Sequence, residues 1–169
     1  FTIVGLPEAA IKESKDRVRS AITNGGFTFP MQRITVNLAP AHLPKNGSGF
    51  DLPIAIGILA ASKQLPLESL ENYEFISELA LSGATRASQY IIPAILACKQ
   101  DDKTLIISSD NTDDASLTGY NKVKLALHLR DVCQYLCQRT PLHSASKKPH
   151  TPMQYTIDWS DIIGQKHAK

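Results

Sequence analysis

A single serine sits among glycines at Gly47-Ser48-Gly49, between a strand-like run and a long apolar stretch that starts at Asp51. A strand, a glycine-serine loop and a buried helix can support two kinds of chemistry. The serine can act as a nucleophile if a neighbouring base takes its proton. Alternatively, the backbone N–H groups at the helix start can hold a phosphate. Asp51 lies beside those N–H groups and would repel an anion, which favours a plainer expectation. In that reading Asp51 caps the helix, the glycines admit a tight turn and Lys45 is solvated. No Gly-x-x-x-x-Gly-Lys-Ser/Thr run occurs in the 169 residues, so this chain is not expected to hydrolyse ATP by itself.

Other chemistry-bearing residues are scattered. Cys98, Cys133 and Cys137 cannot all pair with one another; Cys133 and Cys137 stand one turn apart on a predicted helix, without further ligands at zinc spacing. Small buried thiols are the expected role. His42, His128, His143, His150 and His167 share no spacing, and no metal site is expected. Arg33, Lys45 and Arg86 are the candidate nucleic-acid contacts, with Lys147 and Lys148 further on, and Phe50 and Tyr90 could stack bases if exposed. The net charge of +2 gives no general basic field, so weak, salt-sensitive binding is the most that composition supports.

These residues must be positioned by alternating elements. Phe1 to Val4 reads as a strand, and a helix follows to about Asn24. Ile11, Val18 and Ile22 line one face of that helix; charged residues such as Glu13 and Arg17 form a self-paired outer surface, and Gly25-Gly26 ends it. A strand at Arg33 to Leu38 leads into the loop, and Asp51 to about Lys63 forms a central buried helix. Strands are predicted at Phe75 to Leu81, Lys103 to Ser108 and Val123 to Leu127. Helices are predicted at Ile91 to Cys98, Ala115 to Thr118 and Leu129 to Gln138. Residues 139–153, with three prolines and little to bury, read as a linker. No apolar run is long enough to cross a bilayer and no basic-then-apolar leader is seen, so a cytoplasmic protein without membrane partners is expected. The start inside a strand, without methionine, suggests a piece of a longer protein.

Three stretches now carry a resemblance: Phe1-Thr-Ile-Val-Gly-Leu-Pro-Glu, Arg33-Ile-Thr-Val-Asn-Leu-Ala-Pro and Gly47-Ser-Gly-Phe-Asp-Leu-Pro-Ile-Ala-Ile. In this order they resemble the ComM/YifB family, magnesium-chelatase-like AAA+ ATPases of bacteria, over residues 1 to about 138. Trp159-Ser-Asp-Ile-Ile-Gly-Gln is similar to the family's lead-in to its AAA+ module. The resemblance implies an α/β (α+β) fold of the ribosomal-protein-S5 domain-2-like, Lon-protease-like type. A mixed sheet would pack on helices, with strand residues ahead of Phe1 cut away. It implies three parts: a Lon-like (ChlI-type) domain at 1–138, a linker at 139–153 and the start of a AAA+ domain at 154–169. For the whole protein it implies a hexameric ring using ATP and Mg2+ as a helicase. That ring would act on single-stranded or branched DNA in natural transformation and recombination. Ile162, Ile163 and Gly164 would meet the adenine edge there, while this stretch itself would hold no cofactor.

The Lon likeness raises a serine-lysine peptidase. Aligning the glycines and the apolar helix puts Gly49 at the nucleophile position, or Ser48 after a one-residue slip. The lysine would lie just after the Phe75 to Gly83 strand. Ile92 occupies that place, no lysine occurs from Ala87 to Ala97, and Lys99 comes about two helical turns late. Without a base, a serine hydroxyl is a poor nucleophile. Ala87-Ser88-Gln89-Tyr90 also departs from the family's proline, arginine and glycine, leaving Arg86 as the nearby charge. The expected role is therefore a non-catalytic domain serving assembly or DNA guidance. The alternatives are a residual peptidase using Ser48 and a chelatase-type motor subunit that remodels a protein partner.

Overall fold

The strand Thr104–Ser108 lies at the centre of the molecule because Leu105, Ile106 and Ile107 are all fully buried. A continuous apolar run of this kind is what a strand covered on both faces requires. The computed structural model describes residues 1–5, 9–43, 45, 47–68 and 70–146. In chain order the elements are β1 (Thr2–Val4), α1 (Ala9–Asn24), β2 (Thr35–Asn37), α2 (Asp51–Ala61), β3 (Tyr73–Ile76), β4 (Glu78–Leu79) and β5 (Thr85–Arg86). Then come α3 (Ile91–Gln100), β6 (Thr104–Ser108), α4 (Thr112–Thr118), β7 (Val123–Ala126), α5 (Leu129–Leu136) and β8 (His143–Ser144).

The main sheet has the order β3-β6-β7-β8, parallel across β3, β6 and β7 and antiparallel at β8. β1 and β2 form a separate parallel pair, and β4 and β5 a short antiparallel one. Side-chain alternation along β6 divides the interior. Ile106, with Ala126 of β7, joins the core formed with α1, α2 and α5, while Leu105, Ile107 and Val123 pack against α3, Ala115 and Tyr120. This is the mixed α/β architecture expected, with helices on both faces of a mixed sheet. No described helix is long and apolar enough to cross a membrane.

Local sequence explains most boundaries. In α1, Ile11, Val18 and Ile22 are fully buried. The helix then stops as Gly25 and Phe27 donate their N–H groups to the carbonyls of Ala21 and Ile22, with Gly26 at φ +85°. α2 buries Leu52, Ile54, Ala55, Ile56, Ile58, Leu59 and Ala60.

Two expectations change. The predicted strand Phe75 to Leu81 breaks at Ser77, whose N–H donates to the Gly49 carbonyl (3.1 Å) and whose carbonyl accepts from Leu52 N–H (3.1 Å). β3 and β4 consequently enter different sheets. Within the predicted linker, β8 pairs with β7 through Lys124–Ser144 and Leu125–His143, and Ala145 N–H donates to the Val123 carbonyl at 3.1 Å. Residues 147–169 lie outside the described residues, and with them Lys147, Lys148, His150, Trp159, His167 and the expected adenine-edge residues Ile162, Ile163 and Gly164.

Candidate functional site

The loop between β2 and α2 folds onto itself before it reaches the helix. Lys45 is 8% exposed, and its Nζ donates to the Pro40 carbonyl. The expectation that Lys45 is solvated and available to DNA is therefore corrected: its ammonium is used inside the loop. Gly49 allows a close approach, since a Cβ there would stand 3.1 Å from Ile76 Cγ2 and 3.4 Å from Ser88 Oγ. Ser48 is half-buried, and among the described residues its hydroxyl has no hydrogen-bond partner able to act as a base.

Asp51 corrects a second expectation. The N-cap position belongs to Phe50, which makes no side-chain cap bond, and Asp51 is the first helical residue, fully buried. Its carboxylate accepts from Arg17 Nε at 2.7 Å and Nη2 at 3.2 Å, from Leu79 N–H at 3.2 Å, and from the Ser14 hydroxyl. Arg17 Nη2 also donates to Ser14 Oγ at 3.1 Å. The bond to Asp51 raises the Arg17 guanidinium above its usual pKa, against the opposing effect of burial. Glu13, the expected surface partner of Arg17, is 3.9 Å away, a much looser contact. The positive end of the α2 dipole also faces this carboxylate, a favourable placement for a negative charge.

The same contacts decide the phosphate question. Leu52 N–H is taken by Ser77 and Asp51 N–H by the Ser48 carbonyl (3.2 Å), while a carboxylate fills the helix start. This loop does not fit a nucleotide phosphate. Behind it a polar chain continues the latch. Ser77 Oγ lies 2.8 Å from the Glu78 carbonyl and 3.0 Å from that of Arg86, donating to one of them, and Glu78 N–H donates to Ser88 Oγ at 3.2 Å. Buried Asn111 then clasps Ser88, accepting its N–H at 2.9 Å and donating to its carbonyl at 3.1 Å.

Other expected site residues are dispersed. Arg33 is exposed ahead of β2, and Arg86 is exposed on β5. No hydrogen bond or ion pair joins them among the described residues. Phe50 is half-buried against the core, as expected of a packing residue, while Tyr90 is 76% exposed just before α3. Ile92 sits in the first turn of α3, at 37% exposure. Cys98 and Cys133 are buried and Cys137 half-buried, so the small-thiol expectation holds most fully for the first two. Sequence reasoning missed Ser14 and Arg17 as partners of Asp51. The available signal was their i, i+3 spacing at the margin of the apolar stripe of α1.

Residues 1–111 match the family described as subunit ChlI of Mg-chelatase. The chain belongs to that family, within its ComM/YifB group. It is 50% identical over 174 residues to competence protein ComM of Haemophilus influenzae, an alignment covering all of this chain and 34% of that protein. It is 42% identical over 169 residues to the uncharacterized protein YifB of Escherichia coli, covering all of this chain and 33% of that one. The chain thus spans about one third of the length of these relatives.

Proposed function

We propose that this region is the non-catalytic amino-terminal domain of a ComM-like hexameric AAA+ ATPase. In this reading the whole protein uses ATP and Mg2+ to migrate branched DNA in natural transformation and recombination, and the domain serves assembly or DNA guidance. One observation carries the non-catalytic part. The loop that would present a nucleophile is latched, with Asp51 spent on Arg17, Ser14 and Leu79 N–H rather than on a reacting group. The competence role is supported by the name of the ComM relative and by the match of this whole chain to it.

DNA guidance is tested by titrating fluorescent single-stranded and forked DNA across a salt series, with Arg33→Glu and Arg86→Glu in parallel. Saturable binding that weakens with salt and with either substitution supports guidance. Absence of binding at low salt restricts the domain to assembly. A serine-reactive fluorophosphonate that labels Ser48 in the folded chain, and not in Ser48→Ala, would overturn the non-catalytic reading in favour of the residual peptidase.

A further inference from the structure

A second concavity lies away from the loop, where the end of α1 meets α5. It has a volume of about 290 Å³, and its lining includes Gly26, Gln64, Arg130, Cys133, Cys137 and Arg139. Arg130 and Arg139 both line it, and no carboxylate does. Neither arginine makes an ion pair among the described residues.

The Arg130 head is already placed. Its Nε donates to the Gly25 carbonyl at 3.2 Å, and its Nη2 lies 3.4 Å from where a Cβ on Gly26 would stand. That single bond leaves the remaining N–H groups for another acceptor. Arg139 follows the last turn of α5, where three late carbonyls are met by the helix's own backbone. Cys133 accepts from Cys137 N–H (3.0 Å), Gln134 from Arg139 N–H (2.9 Å) and Tyr135 from Gln138 N–H (2.9 Å). Those carbonyls are therefore already spent and do not call on the arginine. Gln64 is a fixed wall, its amide bonded in both directions to the Thr28 backbone at 2.9 Å and 2.7 Å. Burial pushes the Cys133 thiol up to about 12, so at neutral pH Cys133 presents no thiolate to oppose an anion.

We propose that this pocket binds a phosphate group between Arg130 and Arg139. A planar carboxylate saturates one guanidinium fork, whereas a tetrahedral phosphate can accept from two forks on different edges. The volume stands just below the lower end of ordinary small-ligand pockets, about 300 Å³, which suits a phosphate with a small attached group. The phosphate can come from a free small molecule or from a nucleic-acid backbone. The proposal does not rest on the DNA-guidance reading, which concerns Arg33 and Arg86.

The test uses the full 169-residue chain. Half-buried Cys137 lines the pocket, so its alkylation by neutral N-ethylmaleimide reports occupancy. Inorganic phosphate, pyrophosphate, a short oligothymidylate and succinate are titrated at constant ionic strength. Expected is saturable protection by pyrophosphate, weakened about tenfold or more in Arg139→Gln, whose side chain makes no hydrogen bond or ion pair among the described residues. An Arg130→Gln chain checked for an unchanged melting temperature should weaken similarly. Oligothymidylate protecting Cys137 with the same Arg139 dependence assigns the phosphate to a strand. Protection by the small phosphates alone assigns a free ligand. No saturable protection by any phosphate, equal protection in both variants, or succinate as effective as pyrophosphate overturns the proposal.

Discussion

Two corners of this molecule, each at a helix end, contrast in what they do with their polar groups. At Gly47 to Asp51 the sequence looks like chemistry, yet the carboxylate, the helix-start N–H groups and Lys45 are taken by partners within the fold. Where α1 ends against α5 no motif announces itself, yet two arginines line a cavity, and only one guanidinium N–H of Arg130 is taken among the described residues. Glycines and a serine before a helix define a backbone path. Capacity to bind resides in charged groups that find no counter-charge among the described residues.

The largest expected effect comes from breaking the first corner. Asp51→Ala leaves Arg17, Ser14 and Leu79 N–H without their acceptor. It should cost about 3–5 kcal/mol in denaturant unfolding, the scale for half of a buried ion pair. The double variant Arg17→Met/Asp51→Leu should recover much of this, because the cost lies in the stranded charge. No recovery would mean that the pair directs the fold in a way apolar contact cannot replace. Gly49→Ala comes next, at roughly 1–3 kcal/mol, because its methyl group must displace Ile76 or Ser88.

In the second corner the readout is reactivity. Cys137 should react with thiol reagents in the folded protein, and Cys98 and Cys133, 5% and 3% exposed, only as it opens. Burial raises the Cys133 pKa from 9.0 to about 12, so the folded state prefers the protonated thiol. Its contribution to stability is full below pH 9 and is lost as pH rises toward 12, which melting curves across that window will register. Smallest of all, Ser48→Ala and Arg86→Glu should each change stability by less than about 0.5 kcal/mol. A larger loss for Ser48→Ala would show that the loop latch includes its hydroxyl.

Much of the fold was legible because its elements are written locally. The spacing of Ile11, Val18 and Ile22 and the unbroken apolar run of α2 depend on residues within a few turns of one another. Asp51 was misread for the opposite reason. A carboxylate before an apolar helix is a good cap on local grounds, and its true partners lie 34 and 37 residues earlier. Lys45 reads as solvated because nothing near it in sequence reveals that the loop turns back over Pro40. The break at Ser77 is hidden in an apolar stretch and created by Gly49 and Leu52. β8 has no apolar alternation at all and exists because β7 offers it an edge. The arginine pocket joins residues on either side of the chain's middle, 105 positions apart at the Arg130–Gly25 bond.

The short strand β8 makes the last described stretch of the chain a mechanical attachment. Tension applied beyond Ser146 reaches the β7–β8 ladder before it reaches the core. With two registered residue pairs and the Ala145–Val123 hydrogen bond, that ladder is the shortest in the main sheet. The sheet is thereby fitted with a fuse. A tug transmitted along the chain is expected to open β8 first, before the longer parallel ladders of β3, β6 and β7.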